Sequence, residues 1–187
     1  FDYFSLDGSS QLIAKTGYSR IGGFEIYLSR PELGSFLWET ILEAGRSENI
    51  RPGSPNIIDR VEAGLLSFGN EMTVENTPLE CNMDKFLDIN KEADYIGKKV
   101  LQRQIRYGIK RRIRGVIYNG PKLPTISRPL QVFDIDKRTI VGSLTSGAFS
   151  PHFKRNIGVG MIKNGYWDNN KKILVNIADQ EFREGLI

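Results

Sequence analysis

Apolar and polar residues change rhythm along this chain, and the rhythm divides it into elements. Phe24, Ile26 and Leu28 alternate with Glu25 and Tyr27 at the period of a strand, which puts the first three on one face and the other two on the opposite face. A turn containing Gly17, Gly22 and Gly23 precedes this strand and brings Tyr18 and Arg20 near it. Upstream, Phe1 to Leu6, Asp7 to Ser10 and Gln11 to Lys15 read as strand, turn and strand, with Asp-Gly-Ser-Ser supplying the turn chemistry. A small antiparallel sheet is expected. Pro31 suits a first helical turn, and Leu33, Phe36, Leu37, Ile41 and Leu42 recur at helical spacing up to Ala44-Gly45. That helix is expected to cover one face of the sheet, with Trp38 in the core.

Arg51 to Pro55 is a Pro/Gly-rich connection, and a short helix is expected from Asn56 to Ala63, capped by Gly64. Its charges, Asp59, Arg60 and Glu62, are more than a helix packed against a sheet usually carries, and a solvated face explains them. Gly69 to Met72 reads as a turn, Thr77 to Glu80 as extended, Phe86 to Ile89 as a strand and Lys98 to Tyr107 as an amphipathic helix stopped by Gly108. After Gly108 the texture changes. Ile113 to Tyr118, Leu130 to Asp134, Ile140 to Thr145, Ile157 to Ile162 and Ile173 to Ile177 are short apolar runs separated by turn residues, with a hairpin turn at Asp134 to Arg138 and a loop at Ser146 to Pro151. The texture predicts a compact antiparallel barrel or sandwich. The fold class is therefore α+β, with one domain over residues 1–108 and a β domain over 109–187.

Composition narrows function only a little. The chain has 187 residues, 40% of them hydrophobic, enough for a sizeable core. A formal charge of +4 suits anionic small molecules as well as nucleic acid. The densest basic run, Lys110 to Arg114, has no interleaved aromatics of the kind that stack on bases and reads as a solvated strand edge, so no nucleic-acid partner is expected. Cys81 is the only cysteine, which excludes an intrachain disulfide and points to a reducing compartment, the cytoplasm. With His152 as the only histidine, neither a His-rich metal site nor a two-histidine mechanism can be built, and Cys81 reads as a structural thiol. No apolar run reaches the ~18 to 20 residues of a membrane span. The chain begins in Phe-Asp-Tyr-Phe without a methionine, which reads as the middle of a folded protein. Part of any active site is accordingly expected upstream.

Few constellations carry chemistry by themselves. Thr16-Gly17 lacks the Gly-Lys-Ser/Thr of a phosphate loop, and Ser143, Ser146 and Ser150 have no spaced histidine base. Asp134 and Asp136 belong to a hairpin tip, where carboxylates satisfy turn geometry. Glu25 and Tyr27 offer a carboxylate and a phenol on one strand face, a pair able to read the hydrogen-bonding edge of a flat polar heterocycle. An edge strand with an exposed polar face accounts for the same pattern.

Taken in order, Thr16-Gly-Tyr-Ser with Gly22-Gly-Phe-Glu-Ile-Tyr-Leu, Leu37-Trp-Glu-Thr-Ile-Leu-Glu-Ala-Gly, Arg60-Val-Glu-Ala-Gly-Leu-Leu-Ser-Phe-Gly-Asn-Glu-Met, Tyr95-Ile-Gly-Lys-Lys and Val141-Gly-Ser-Leu-Thr-Ser-Gly-Ala-Phe-Ser-Pro resemble the tetrahydrofolate-dependent aminomethyltransferases, the glycine cleavage T-protein family. The resemblance runs from about Gln11 to Ile177. Within it, Arg20-Ile-Gly-Gly-Phe-Glu stands for the T protein's Gly-Glu-Asp-Gly-Phe-Glu, and Pro55-Asn56-Ile57 replaces its Ala-Arg-Asp. These details are similar to the branch of the family that demethylates dimethylsulfoniopropionate, as its C-terminal half. The resemblance implies part of the folate-binding aminomethyltransferase fold followed by a C-terminal antiparallel β-barrel. It also implies tetrahydrofolate as acceptor, a small sulfonium substrate, no metal, a possible homodimer, and catalytic residues upstream of this chain. By the same implication Glu25 bonds the pterin's amino and ring N–H edge, Tyr27 lies beside the folate and Tyr18 walls the pocket. Arg60 either meets the folate's glutamate tail or forms an internal salt bridge with Glu62 or another carboxylate. Rival expectations are the T protein itself, acting on a lipoyl-bound aminomethyl group, and a folate-binding relative without catalysis.

Overall fold

The computed structural model describes residues 1–53 and 57–187. Strands β1 (Asp2–Leu6), β2 (Ser9–Ala14) and β3 (Glu25–Tyr27) form an antiparallel sheet in that order. Asp7 and Gly8 both take positive φ, 47° and 70°, the conformation that a two-residue hairpin demands. The turn is therefore tighter than Asp7 to Ser10, and β2 starts at Ser9. Gln11, buried beneath the sheet, accepts through its side-chain oxygen from the Ser29 backbone N–H at 2.7 Å, which ties the exit of β3 back to β2.

Helix α1 (Gly34–Ala44) follows a 3-10 turn at Pro31–Leu33 and buries none of its residues. Trp38 is 52% exposed, so the expectation of a core tryptophan on a helix covering the sheet is corrected: Leu33, before the helix, is the residue buried there. Helix α2 (Ile57–Glu62) ends in a Schellman motif, with Leu65 N–H on the Arg60 carbonyl and Gly64 N–H on that of Val61. The expected connection to Pro55 and the expected start of this helix at Asn56 reach into residues 54–56, which lie outside the described ones. Two local expectations fail because hydrogen bonds close turns. Cys81 N–H bonds the Thr77 carbonyl at 3.2 Å and Met83 N–H that of Pro78 at 2.9 Å, so Thr77 to Glu80 is not extended. In place of a strand at Phe86 to Ile89, a 3-10 turn spans Asp84–Phe86. Helix α3 (Lys98–Tyr107) stands where its pattern puts it, bounded by Gly97 and Gly108.

Six strands then close into an antiparallel barrel: β4 (Arg111–Tyr118), β5 (Leu130–Phe133), β6 (Ile140–Ser150), β7 (Arg155–Lys163), β8 (Lys172–Ala178) and β9 (Glu181–Leu186), in the spatial order β4-β7-β6-β5-β8-β9. Val116, Tyr118, Val132, Val141, Leu144, Ile162, Ile173 and Val175 fill it. Closure removes the exposed edges that an open sheet would leave. Backbones approach so closely between β6 and β7 that a Cβ on Gly160 would stand 1.9 Å from the Ser143 carbonyl oxygen. The stretch from Ser146, expected to be a loop, continues β6 as far as Ser150. Strand β9 was not expected at all; its Phe182 meets the edge of Phe133 at 5.3 Å.

The two regions meet along α2 and along the segment before β4. Val61 packs on Ile113, Ile157 and Val159 of the barrel. Ile113 N–H donates to the Glu80 carbonyl at 2.8 Å, and the Asn82 amide donates to the Ile113 carbonyl at 2.7 Å. The basic run is only in part a solvated edge: Lys110 and Arg111 are exposed, but Arg111 pairs with Glu80 at 3.1 Å and Arg112 with Asp84 at 3.5 Å.

Candidate functional site

Strand β3 is short because glycines precede it and Ser29 and Arg30 turn away after it, yet three residues suffice to set two faces. Its register places Tyr27 opposite Leu12 and Glu25 opposite Ala14. Leu12 in turn faces Tyr3 of β1. Tyr3, Leu12 and Tyr27 thus form one cross-strand row, with Glu25 one repeat along the same face and the two tyrosines about 10 Å apart by strand spacing. Tyr3 and Tyr27 are 64% and 52% exposed, and the Glu25 side chain lies on their open face. The Thr16 hydroxyl donates to the Glu25 carboxylate and so orients it from the start of the glycine turn. The opposite face follows the alternation incompletely. Ile26 and Leu28 are half-buried, but Phe24, one residue before the strand, is 65% exposed rather than in a core.

Tyr18 stands two residues beyond Thr16, and its hydroxyl donates to the Leu66 carbonyl at 2.5 Å. The glycine turn is thereby pinned to the loop after α2. Arg60, expected among the folate contacts or in an internal salt bridge, is in the salt bridge. Its guanidinium reaches Glu71 at 3.0 and 3.3 Å, the Leu65 carbonyl at 3.0 Å and the Ser146 hydroxyl at 2.6 Å. The two side chains of the pair are 6% and 0% exposed, and both terminal guanidinium nitrogens are bonded within the protein, so the folate-tail expectation is corrected to the internal salt bridge. The partner is Glu71, because Glu62 is engaged with Ser150 of β6 at 2.5 Å. The solvated face expected of α2 is likewise an interface.

Sequence reasoning named Glu25, Tyr27, Tyr18 and Arg60 and missed Tyr3, Thr16, Glu71 and Ser146. Tyr3 was within reach: a two-residue Asp7-Gly8 turn fixes Tyr3 opposite Leu12. Glu71 and Ser146 carried no signal, since nothing local marks a carboxylate 11 residues and a hydroxyl 86 residues away as partners of one arginine. Elsewhere, burial pushes the Cys81 thiol pKa up, helped by Glu80, which disfavours the thiolate a nucleophile needs. His152 is exposed on the β6–β7 turn, against the Phe153 ring. Asp134 accepts from the Thr139 and Arg138 backbone N–H groups, which hold its carboxyl below the usual range and account for it as a turn residue. Among the described residues no helix is long and apolar enough to cross a membrane.

Comparison with known proteins bears on this architecture directly. Residues 1–91 match the model of the GCVT N-terminal domain, and residues 111–183 match that of the glycine cleavage T-protein C-terminal barrel domain. The chain belongs to the glycine cleavage T-protein family. Among T-protein relatives, a dimethylsulfoniopropionate demethylase of Ruegeria pomeroyi is 40% identical over 163 residues, covering 87% of this chain and 43% of the relative. An aminomethyltransferase of Geobacillus sp. is 33% identical over 188 residues, covering 100% of this chain and 50% of the relative. The T-protein fold is also seen in the glycine cleavage system aminomethyltransferase T from Bartonella henselae, with a TM-score of 0.79 at 22% identity over 95% of this chain and 48% of that one. The chain spans about half the length of the relatives it matches.

Proposed function

We propose that this chain is part of a tetrahydrofolate-dependent demethylase that moves a methyl group from the sulfonium of dimethylsulfoniopropionate to N5 of tetrahydrofolate, leaving 3-methylthiopropionate. The observation that carries the folate half is the Glu25 carboxylate, exposed beside Tyr27 and oriented by Thr16. A carboxylate accepts from two N–H donors at once, which fits the amino and ring N–H edge of a pterin. Tyr27, one repeat from that carboxylate on the same face, and Tyr3, farther along the same cross-strand row, offer aromatic surface on which a flat ring can rest. Tyr18, fixed by its bond to Leu66, closes the side of the glycine turn. The donor half rests on the 40% identity to a demethylase acting on that sulfonium.

The chemistry asks little of these side chains beyond placement. The carbon–sulfur bond breaks as a carbon–nitrogen bond forms, the sulfur leaves as a neutral thioether, and N5 gives up its proton. A sulfonium carries a good leaving group, the neutral thioether, so holding acceptor and methyl in line is the main task, and effective molarity supplies ~7 to 11 kcal/mol of such a barrier. In this division Glu25 sets the angle of the acceptor ring and the tyrosines exclude water from its faces. A domain boundary at residue 108 goes with this reading, supported by the positive φ of Gly108 at the end of α3 and by family matches on either side of it.

One observation favours a second reading. The aminomethyltransferase of Geobacillus sp. aligns with all of this chain, whereas the demethylase aligns with 87% of it. In that case the donor is a lipoyl-bound aminomethyl group and the product methylenetetrahydrofolate. Assaying full-length protein with both donors decides the matter. Formation of 3-methylthiopropionate and 5-methyltetrahydrofolate is expected. Release of ammonia from the lipoyl donor alone overturns the demethylase, and folate binding without turnover of either donor overturns both enzymes.

A further inference from the structure

A continuous line of polar contacts runs from the barrel to the glycine turn. Ser146 of β6, 1% exposed, accepts from Arg60 at 2.6 Å. The same guanidinium takes both oxygens of Glu71, at 3.0 and 3.3 Å, and the Leu65 carbonyl at 3.0 Å. Glu71 in turn accepts from the Ser67 backbone N–H at 2.7 Å. Between Leu65 and Ser67, the carbonyl of Leu66 receives the Tyr18 hydroxyl at 2.5 Å. Residues 65–67 belong to neither helix nor strand, so no ladder or helical bond series sets the direction of these carbonyls.

We propose that Arg60 and Glu71 are positioning residues for the methyl-acceptor site: their ion pair, anchored on Ser146, fixes the loop Leu65 to Met72, and that loop fixes Tyr18. The proposal rests on the folate reading of Glu25 and Tyr18. Stability alone is a poor reason for this pair, because a buried ion pair is seldom more stabilising than apolar side chains of the same volume. What the fork of a guanidinium does supply is direction, since two parallel bonds to one carboxylate fix both partners in a plane. Here that plane also orients the Leu65 carbonyl, and the neighbouring carbonyl is the one that receives Tyr18. Position therefore passes from β6 to the glycine turn through Arg60, without either member of the ion pair touching the acceptor.

The test compares Ser146→Ala with Ser150→Ala in the full-length protein. Both remove a contact between α2 and β6, but Ser150 bonds Glu62 and lies off the line to Tyr18. Amide hydrogen exchange and tetrahydrofolate affinity are the readouts. With Ser146→Ala, exchange over residues 65–71 and 16–19 is expected to quicken by about tenfold, with β7 protection unchanged. The tetrahydrofolate dissociation constant is expected to rise by about tenfold, and kcat at saturating folate to stay within about twofold. Ser150→Ala should leave residues 16–19 and folate affinity as they were. Unchanged exchange at 16–19 in Ser146→Ala, or equal quickening in both variants, overturns the positioning role. Selective quickening at 16–19 with unaltered folate affinity supports the coupling and instead sinks the folate reading of Tyr18.

Discussion

The barrel and the region before it reach order by different means. Residues Arg111 to Leu186 close a sheet on itself, and eight apolar side chains from Val116 to Val175 are shut inside with almost no access to solvent, joined by Leu130. Before Gly108 the large aromatic side chains Phe24, Phe36, Trp38 and Phe68 are exposed, the buried apolar residues Leu6, Leu33, Val61, Leu79 and Leu101 are spread over separate elements, and buried polar groups add directional ties: Gln11 on Ser29, Arg60 on Glu71. A region held by directional polar bonds can place single side chains closely without a full core of its own. That is a useful property next to a binding face such as Tyr3, Tyr27 and Glu25.

The contrast can be broken most severely at a glycine. Gly160→Ala drives a Cβ to 1.9 Å from the Ser143 carbonyl oxygen and should remove about 4 kcal/mol or more of stability, read by chemical denaturation. Gly34→Ala, at the start of α1 with nothing within 4 Å of its Cβ, should instead stabilise by about 0.5 to 1 kcal/mol. A comparable penalty for both contradicts the contrast. Next comes the junction: Arg60→Met strands a carboxylate that is 0% exposed, and a loss of about 3 to 5 kcal/mol is expected. A loss below about 1 kcal/mol would mean that the pair is solvated. Core truncation follows. Ile162→Ala should cost about 2 to 5 kcal/mol, whereas Trp38→Ala in this 187-residue chain should change stability by less than about 0.5 kcal/mol, both measured from urea midpoints.

The smallest expected effect sharpens the picture of the barrel core. Tyr118 is 1% exposed, its hydroxyl meets no partner among the described residues, and burial raises its phenol pKa. The folded value stands above the ~10 of an unfolded chain, so the associated stability is whole below about pH 10 and is lost as pH rises through the folded value. Tyr118→Phe should leave the melting temperature at neutral pH equal or higher and flatten its fall above about pH 10. An unchanged alkaline slope would place that loss elsewhere.

These contrasts also explain what could be read in advance. Five of the six barrel strands announced themselves as apolar runs, because a sheet with a filled interior needs Val, Ile and Leu at alternate positions. Strand β9 did not, since Glu181, Arg183 and Glu184 dominate its text and its pairing with β8 and β4 is decided by closure. Ser146 to Ser150 looked like a loop for a related reason. Its serines serve Arg60 and Glu62, and a Cβ at Gly147 would lie 2.7 Å from the Ile157 carbonyl oxygen of β7. Turn-like composition there reflects tight packing. Before Gly108, the strand at Glu25 to Tyr27 was legible from its alternation, and Glu25 and Tyr27 do share a face. The fate of Arg60 was not, because a buried ion pair depends on two residues distant in the chain whose meeting no local pattern records.

The most direct test of the whole account is a tetrahydrofolate titration of full-length protein carrying Glu25→Gln. Losing a charged acceptor from a bidentate contact costs about 1.5 to 3 kcal/mol, so affinity should fall by at least about tenfold, with a smaller loss in Tyr27→Phe. Affinity unchanged in both variants would contradict the assignment of this strand face to the methyl acceptor.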